Sequence, residues 1–191
     1  MPEYRRPYIP GGSYFLTLVA YNRNPLFQVP ENISRLRAAI KTVKSERPFE
    51  IAGAVVLPDH QHFIWTLPPG DTAYSMRVGR LKALFTKSLP AEQRSAQALP
   101  NSHRKRRESG VWQRRFWEHA LRDEEDFQRH LDYIHYNPVK HGYAQCPHSW
   151  PFSSFHQWVQ KGAYTANWCC TCNEKPPEIP DFTEIESRVG E

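Results

Sequence analysis

The chain has 191 residues, which suits one domain with a full hydrophobic core and, at most, a loose tail. Its 25 Lys and Arg against 20 Asp and Glu give a net charge of +5, and the excess is uneven, because residues 173–191 carry −4 and the rest carries +9. A basic body favours a polyanionic partner such as nucleic acid. No secretory signal opens the chain and no stretch approaches the roughly 18 apolar residues of a membrane span, so we expect a cytoplasmic protein without membrane contact.

The first third of the chain predicts a strand, a helix and a hairpin. Ser13–Tyr21 is rich in β-branched and aromatic residues and predicts the first strand. Pro30 suits the first turn of a helix whose apolar residues recur at helical spacing: Ile33, Leu36, Ile40 and Val43. Phe49–Leu57 and His62–Leu67 predict two strands, and the Pro58-Asp59 turn between them favours a hairpin.

A second helix and a long loop follow. Asp71 or Thr72 can cap this helix. Its apolar stripe consists of Tyr74, Val78, Leu81, Phe85 and Leu89. The polar stretch Pro90–Gly110 has few apolar residues and predicts a surface loop.

The last predicted elements complete the fold class. Trp112–Leu121 predicts a fourth strand, Asp123 opens a third helix that Pro138 should stop near Asn137, and Trp150–Val159 favours one more short helix. This order predicts an α+β, ferredoxin-like (split βαβ, RRM-like) fold, an antiparallel sheet with helices on one face. We assign residues 1–165 to this domain and expect the acidic, Pro-rich residues 166–191 to be poorly ordered.

The four cysteines fit no recognised framework. Cys169, Cys170 and Cys172 crowd together, whereas Cys146 lies far upstream. Reduced thiols are the simplest interpretation. A zinc or redox cluster completed by Cys146 or His148 is the alternative.

The segment His60-Gln61-His62 is a candidate metal site. Residues i and i+2 of a strand point to the same face, roughly 6 to 7 Å apart, so both imidazoles can bind one ion while Gln61 points away. Two histidines near a turn can equally be surface residues. Metal-assisted phosphate chemistry needs a further, harder ligand.

The third helix offers that ligand. Asp126, His130, Tyr133 and Asn137 fall within about 60° of one another on a helical wheel, at the margin of the buried face. Tyr133 and Asn137 are i and i+4, so a phenol and a carbonyl ligand can face the same ion. The alternative is that Tyr133 is an ordinary rim residue and that Asn137 simply ends the helix.

Five segments of the chain form a distinctive combination: LPDHQHFIWTLP (57–68), FWEHALRD (116–123), DYIHYNPVKHG (132–142), EYRRPYIPGGSYFLT (3–17) and PFSSFH (151–156). Together they resemble one family, the REP-associated tyrosine transposases of the HUH endonuclease superfamily. The resemblance covers most of residues 3 to 165. The chain differs at Gln61, where the family usually has a hydrophobic residue.

The resemblance implies a site and a reaction. The metal ligands fall on His60, His62 and Asn137, and the nucleophile falls on Tyr133. The implied activity is that of a metal-dependent single-stranded DNA endonuclease and strand transferase, which acts on palindromic repeat hairpins through a 5′-phosphotyrosine without a nucleotide cofactor. Two imidazoles, an amide and waters suit Mg²⁺ or Mn²⁺.

Tyr136 is the rival nucleophile. Its i+4 partner is Lys140, beyond Pro138, so it has no companion that could bind a metal ion. We therefore favour Tyr133.

Basic and aromatic residues are predicted to bind DNA, because arginine pairs with phosphates and aromatic rings stack on unpaired bases. The candidates are Tyr4, Arg5, Arg6, Arg104, Lys105, Arg106, Arg107, Trp112, Arg114 and Arg115. A charged run can also be a solvated loop, and Trp112 can belong to the core.

Three other functions compete with catalysis. The first is a non-catalytic hairpin-DNA-binding regulator of repeat elements. The second is an RNA-binding module of the same topology, although no RNP1-like segment is present. The third is a zinc protein that uses the late cysteines. The sequence is compatible with a monomer or a homodimer.

Overall fold

The computed structural model describes residues 6–95, 110–172 and 177–189. The elements in chain order are β1 (Ser13–Val19), α1 (Pro30–Glu46), β2 (Glu50–Val56), β3 (His60–Thr66), α2 (Tyr74–Ser88), α3 (Ala91–Ser95), β4 (Trp117–Ala120), α4 (Glu124–Lys140), α5 (Phe155–Gln160) and α6 (Thr183–Val189). No helix within these ranges is long and apolar enough to cross a membrane.

The four strands form one antiparallel sheet in the order β2-β3-β1-β4. This is the order of two interleaved βαβ halves, so the predicted ferredoxin-like class is confirmed. The central strands β1 and β3 are buried along almost their whole length. Both faces of the sheet are therefore covered.

Helices cover the two faces unequally, which corrects the expectation that all helices share one face. The crossover helices α1 and α2 pack with Leu16 and Leu18 on one side, whereas α4 packs with Phe15 and Ile64 on the other. The reason is the alternation of a strand, in which neighbouring apolar residues of β1 point to opposite faces and each set needs its own cover.

Strand β4 is shorter than predicted. The expected strand Trp112–Leu121 shrinks to Trp117–Ala120, and Trp112 contributes only an isolated bridge to Ala20. The hairpin matches the prediction, because Leu57 N donates to His60 O across the Pro58-Asp59 turn.

Helix α4 begins as predicted and ends later. Asp123 caps it by accepting a hydrogen bond from Asp126 N at 2.8 Å. The predicted stop near Asn137 is wrong, since the helix continues through Pro138 to Lys140. A proline removes one helical hydrogen bond, but the bond from His141 N to Asn137 O at the end of the helix is present at 3.1 Å.

Gly53 in β2 lets α4 lie close to the sheet. A Cβ atom at this position would lie 2.9 Å from Leu131 Cδ1 and 3.3 Å from Ile134 Cδ1. Leu131 and Ile134 belong to α4, and both are fully buried. The missing side chain therefore sets the distance between α4 and the strands beneath it.

The C-terminal region differs from the expectation of poor order. Its described part ends in α6, and Phe182, Ile185 and Val189 are buried against the cluster that contains α4. The cysteines also differ from the expectation of reduced thiols. Cys146 and Cys170 form a disulfide, because the fold brings two residues that are 24 positions apart to a Cα separation of 4.2 Å.

A methyl group at Gly53 should loosen the contact between α4 and the sheet. We expect Gly53→Ala to lower the free energy of unfolding by about 1–3 kcal/mol, because Leu131 and Ile134 must move to admit it. The measurement is urea denaturation followed by circular dichroism. The matched control is Gly79→Ala, at a helical glycine whose added Cβ would have no other atom of the described residues within 4 Å, and it should be neutral or stabilising by up to about 1 kcal/mol. Equal stability changes in the two variants would contradict the proposed contact.

Candidate active site

His60 and His62 lie side by side on the face of β3 that α4 covers. The register pairs His62 with Thr17 and His60 with Val19, on the same face as Ile64. Both histidines are buried, and their ring centres are 5.1 Å apart. The strand thus presents two imidazoles to one small volume.

The Nδ1 atom of each ring is engaged by a neighbour. His62 Nδ1 is hydrogen-bonded to Thr17 Oγ1 at 2.9 Å, and His60 Nδ1 donates to Asp59 Oδ1 at 2.6 Å. Burial alone would raise the pKa of Asp59, but hydrogen bonds from His60 and Arg23 outweigh it and hold that pKa below its ordinary value. Such contacts fix the ring orientation and make Nε2 the nitrogen suited to a metal ion.

Tyr133 of α4 lies next to the histidine pair. Its ring centre is 5.5 Å from that of His62, and its side chain is fully buried. Lys140 Nζ donates a hydrogen bond to the phenol oxygen at 3.0 Å. Sequence reasoning missed this role of Lys140, because it expected the helix to end before that residue. The i, i+7 spacing along a continuous helix is the signal that could have revealed it.

Asn137 lies one helical turn beyond Tyr133 and is fully buried. Among the described residues, neither its Oδ1 nor its Nδ2 atom has a hydrogen-bond partner. An unsatisfied buried amide costs about 1–3 kcal/mol and calls for an explanation. A carbonyl oxygen that binds a metal ion beside two imidazoles is such an explanation, so these residues fit a divalent ion.

Gln61 is also fully buried, and neither of its amide atoms has a hydrogen-bond partner in the described part of the chain. Its register partners are Leu18 and Val56, which belong to the side of the sheet covered by α1 and α2. Gln61 therefore points away from the histidines.

Tyr136 occupies a different environment from Tyr133. Its ring stacks on Phe182, with 5.6 Å between centres, and burial raises its pKa. Lys140 donates its hydrogen bond to Tyr133. Of the two phenols, Tyr133 is the one whose ring lies beside His62.

The segment before and within α6 covers Tyr133. Phe182 packs edge-on against the Tyr133 ring, with 5.5 Å between centres. Glu186 forms an ion pair with Lys140 at 3.2 Å. These residues help to leave the Tyr133 side chain without solvent exposure.

A second cluster of histidine and carboxylate joins β4 to the start of α4. His119 Nε2 donates to Asp126 Oδ2 at 2.8 Å, Arg122 Nε lies 3.1 Å from the same oxygen, and His130 Nδ1 donates to the Asp126 carbonyl at 2.7 Å. His119, Asp126 and His130 have the composition of a metal site. Their donors are hydrogen-bonded to one another and to an arginine, which favours a structural network.

The pKa values of Asp126 and His130 are both lowered, for different reasons. Burial would raise the pKa of Asp126, but the hydrogen bonds from His119 and Arg122 hold it at about 2. Burial lowers the pKa of His130 to about 4, so its neutral form is favoured.

The predicted DNA-binding residues are only partly described. Tyr4, Arg5, Arg104, Lys105, Arg106 and Arg107 lie outside the described residues. Arg114 and Arg115 are exposed before β4. Arg6 is half-buried, with its guanidinium 4.0 Å from the centre of the Phe116 ring and 3.3 Å from Glu118 Oε1.

Trp112 differs from the prediction that it contacts DNA. Only 8% of the residue is exposed, and its ring packs against Phe27 and Phe85 in the core. Its indole N–H donates to Lys82 O at 3.3 Å. In this position the ring cannot stack on an unpaired base.

The chain is similar to several known proteins. The family described as Transposase IS200 like matches residues 10–137. The REP-associated tyrosine transposase of Escherichia coli (strain K12) is 45% identical over 190 residues, covering 100% of both chains. A relative from Haemophilus influenzae is 44% identical over 168 residues, covering 88% of this chain and 93% of its own. A solved REP-associated tyrosine transposase bound to a REP hairpin is 40% identical, with a TM-score of 0.73, and the match covers 95% of this chain and 99% of the other.

His130 should make stability depend on pH. Its folded pKa of about 4 lies below the ordinary 6.5, so between these values the unfolded chain binds one proton more than the folded chain. This contribution is therefore intact above pH 6.5 and is lost as the pH falls towards 4, by on the order of 2–3 kcal/mol. Urea unfolding across this range should show a shallower pH slope in His130→Gln. The exposed His148→Gln serves as the control and should keep the original slope.

Proposed function

Because the chain belongs to the Transposase IS200 like family, we propose that it is a metal-dependent endonuclease and strand transferase for single-stranded DNA beside palindromic repeat hairpins. The observation that carries this proposal is the position of Tyr133, whose ring lies 5.5 Å from that of His62 and whose oxygen is hydrogen-bonded by Lys140. A tyrosine beside two imidazoles combines a nucleophile with ligands for an activating metal ion, and covalent cleavage of a phosphodiester can use this combination.

In the proposed reaction, the Tyr133 oxygen attacks the scissile phosphorus. A new bond forms between the phenol oxygen and phosphorus, and the bond from phosphorus to the 3′ oxygen breaks. The products are a 5′-phosphotyrosine and a 3′-OH, because the departing 3′ oxygen takes up a proton in place of the one that the phenol loses. Attack of another 3′-OH on the phosphotyrosine reverses the step and joins two DNA ends, so no nucleotide cofactor is needed.

Lys140 has a direct part in this scheme. An ammonium that donates to the phenol oxygen at 3.0 Å stabilises the negative charge that develops there as the proton leaves. Lys140 Nζ also lies 4.9 Å from the centre of the Tyr133 ring, so the ammonium faces the ring as well as the phenol oxygen.

The residues that would hold the ion are His60, His62 and Asn137. When bound, Mg²⁺ or Mn²⁺ supplies a Lewis acid that polarises the phosphate. Thr17 and Asp59 orient the two imidazoles through their Nδ1 atoms. The buried amide of Asn137, which has no hydrogen-bond partner among the described residues, supports this ligand set.

The substrate proposal rests on the relatives. One relative is a REP-associated tyrosine transposase solved with a REP hairpin, and this chain is 40% identical to it. We assign the DNA-cleaving unit to residues 1–165 and binding of the DNA backbone to Arg6, Arg114 and Arg115, together with Tyr4, Arg5 and the basic run 104–107. Since His60, His62, Tyr133 and Asn137 lie within one chain, a monomer can hold the whole site.

A second candidate function is a hairpin-DNA-binding regulator that does not cut. The observation that favours it is the full burial of Tyr133 under Phe182. The two functions differ in one outcome, because only the nuclease forms a covalent link to DNA.

Replacement of the nucleophile tests the proposal. We expect Tyr133→Phe to reduce the covalent protein–DNA adduct by roughly 10³-fold or more, because the attacking oxygen is gone. The assay incubates the full chain with a labelled hairpin oligonucleotide carrying single-stranded flanks and Mn²⁺, followed by denaturing electrophoresis. Tyr136→Phe is the matched control and should keep the adduct. An adduct that persists in Tyr133→Phe would rule out this nucleophile, and no adduct in the unaltered chain would favour the regulator.

The two buried amides provide a second test. Asn137→Leu and Gln61→Met should each raise the free energy of unfolding by about 1 kcal/mol in the presence of a chelator, since each removes a buried amide with no hydrogen-bond partner in the described structure. Only Asn137→Leu should abolish Mn²⁺-dependent adduct formation, because Gln61 points to the opposite face. Urea unfolding and the adduct assay measure the two effects. Loss of the adduct in both variants would argue against a distinct role for Asn137.

A further inference from the structure

Three cysteine sulfurs meet at a point remote in sequence from the histidine pair. The Sγ atoms of Cys146, Cys170 and Cys172 all lie within 4.8 Å of one another. Cys146 Sγ and Cys172 Sγ are 3.3 Å apart. The cluster joins the loop after α4 to the segment after α5, which the proposed DNA chemistry does not use.

The two backbone segments are held together independently of the sulfurs. Thr171 N donates to Gln145 O at 2.8 Å, and Thr171 Oγ1 donates to the same oxygen at 3.2 Å. Ser149 N donates to Cys146 O at 3.0 Å. These bonds fix the main chain on both sides of the cluster, so the three sulfurs stay close whether or not any two of them are bonded.

The cluster contains three of the four cysteines and leaves out Cys169. Cys169 is buried and turned elsewhere, with its Sγ 3.7 Å from Glu178 O. Cys170 and Cys172 are separated by one residue and both approach Cys146. A disulfide accounts for only two of these sulfurs, whereas a soft metal ion accounts for all three.

We propose that Cys146, Cys170 and Cys172 bind a thiophilic ion, with Zn²⁺ as the probe, once the Cys146–Cys170 disulfide is reduced. A dithiol or phosphine reductant supplies the two electrons that open the disulfide, and the two sulfurs become thiols by taking up two protons. Binding of Zn²⁺ then displaces the thiol protons of all three cysteines. The exposed position of Cys172 leaves room for water as the fourth ligand.

The ligand chemistry separates this site from the one on β3. Thiolates select Zn²⁺ or Cu⁺, whereas two imidazoles and an amide suit Mg²⁺ or Mn²⁺. Ligand sulfurs around tetrahedral zinc lie roughly 3.8 Å apart, since each Zn–S bond is about 2.3 Å. Cys146 and Cys172 need to separate by only about half an ångström from their 3.3 Å distance to reach that spacing.

This inference goes beyond the proposed function and is independent of it. The ion would tie the loop after α4 to the segment that leads towards α6. The adduct assay could show no DNA cleavage while the chain binds zinc, and the chain could cleave DNA without binding zinc.

Cobalt substitution detects thiolate ligands directly. The full chain carrying His60→Ala and His62→Ala is reduced with a phosphine and titrated with Co²⁺, so that the histidine site does not contribute. We expect one equivalent to produce a sulfur-to-cobalt charge-transfer absorption, and Zn²⁺ to displace it. Absence of this absorption in the reduced chain would overturn the proposal.

Serine variants identify the ligands. Cys172→Ser, at an exposed position, should lower the affinity for Zn²⁺ by roughly 100-fold or more. Cys169→Ser is the matched control and should bind as tightly as the unaltered chain. If Cys169→Ser loses as much affinity as Cys172→Ser, the proposed ligand set is wrong.

The state of the cysteines in cells gives an independent readout. Protein purified after rapid alkylation of free thiols is examined by mass spectrometry and for metal content. One zinc per chain with no disulfide supports the proposal. A Cys146–Cys170 disulfide without bound zinc contradicts it.

Discussion

The antiparallel pairing of β1 with β3 is the constraint on which the proposed chemistry depends. Side chains alternate along a strand, so the register that pairs His62 with Thr17 places both histidines beneath α4 and Gln61 beneath α1 and α2. A slip of one residue would exchange the two faces and bury the imidazoles away from Tyr133. The same register supplies the hydrogen bond between Thr17 and His62 Nδ1 that orients the His62 ring. Backbone pairing, side-chain orientation and the position of the nucleophile therefore follow from one alignment of two strands.

The site is formed from polar groups placed where water cannot solvate them. The amide of Asn137 is fully buried and has no hydrogen-bond partner among the described residues, and a fold selected for stability alone would replace it. Gln61 carries the same cost on the opposite face without facing the site. A metal ion held by the two histidines could offset the cost of burying the Asn137 amide, but not the cost of burying the Gln61 amide, which faces the other way. Burial alone does not distinguish the two amides.

Periodicity in the sequence was enough to predict the succession of strands and helices along the chain, the hairpin and the helix that carries Tyr133, because burial imposes alternation in strands and a stripe in helices. It did not predict the contact of Lys140 with Tyr133, since Pro138 indicated an earlier helix end. Trp112 was assigned to DNA binding, but its ring lies between Phe27 and Phe85, a long-range contact that no local pattern encodes. The meeting of Cys146 with Cys170 and Cys172 likewise arises from tertiary structure.

Pro138 lies between Asn137 and Lys140, and it has no N–H to donate to the carbonyl of Ile134. The helix is consequently weakest to bending at this point. Residues before it are held against the sheet by Leu131 and Ile134, whereas the last turn is held at its end by the ion pair between Lys140 and Glu186. The ammonium can thus change its distance to the phenol at lower energetic cost than the phenol can change its distance to the histidines. Positioning of charge and positioning of the attacking atom are mechanically separate in this protein.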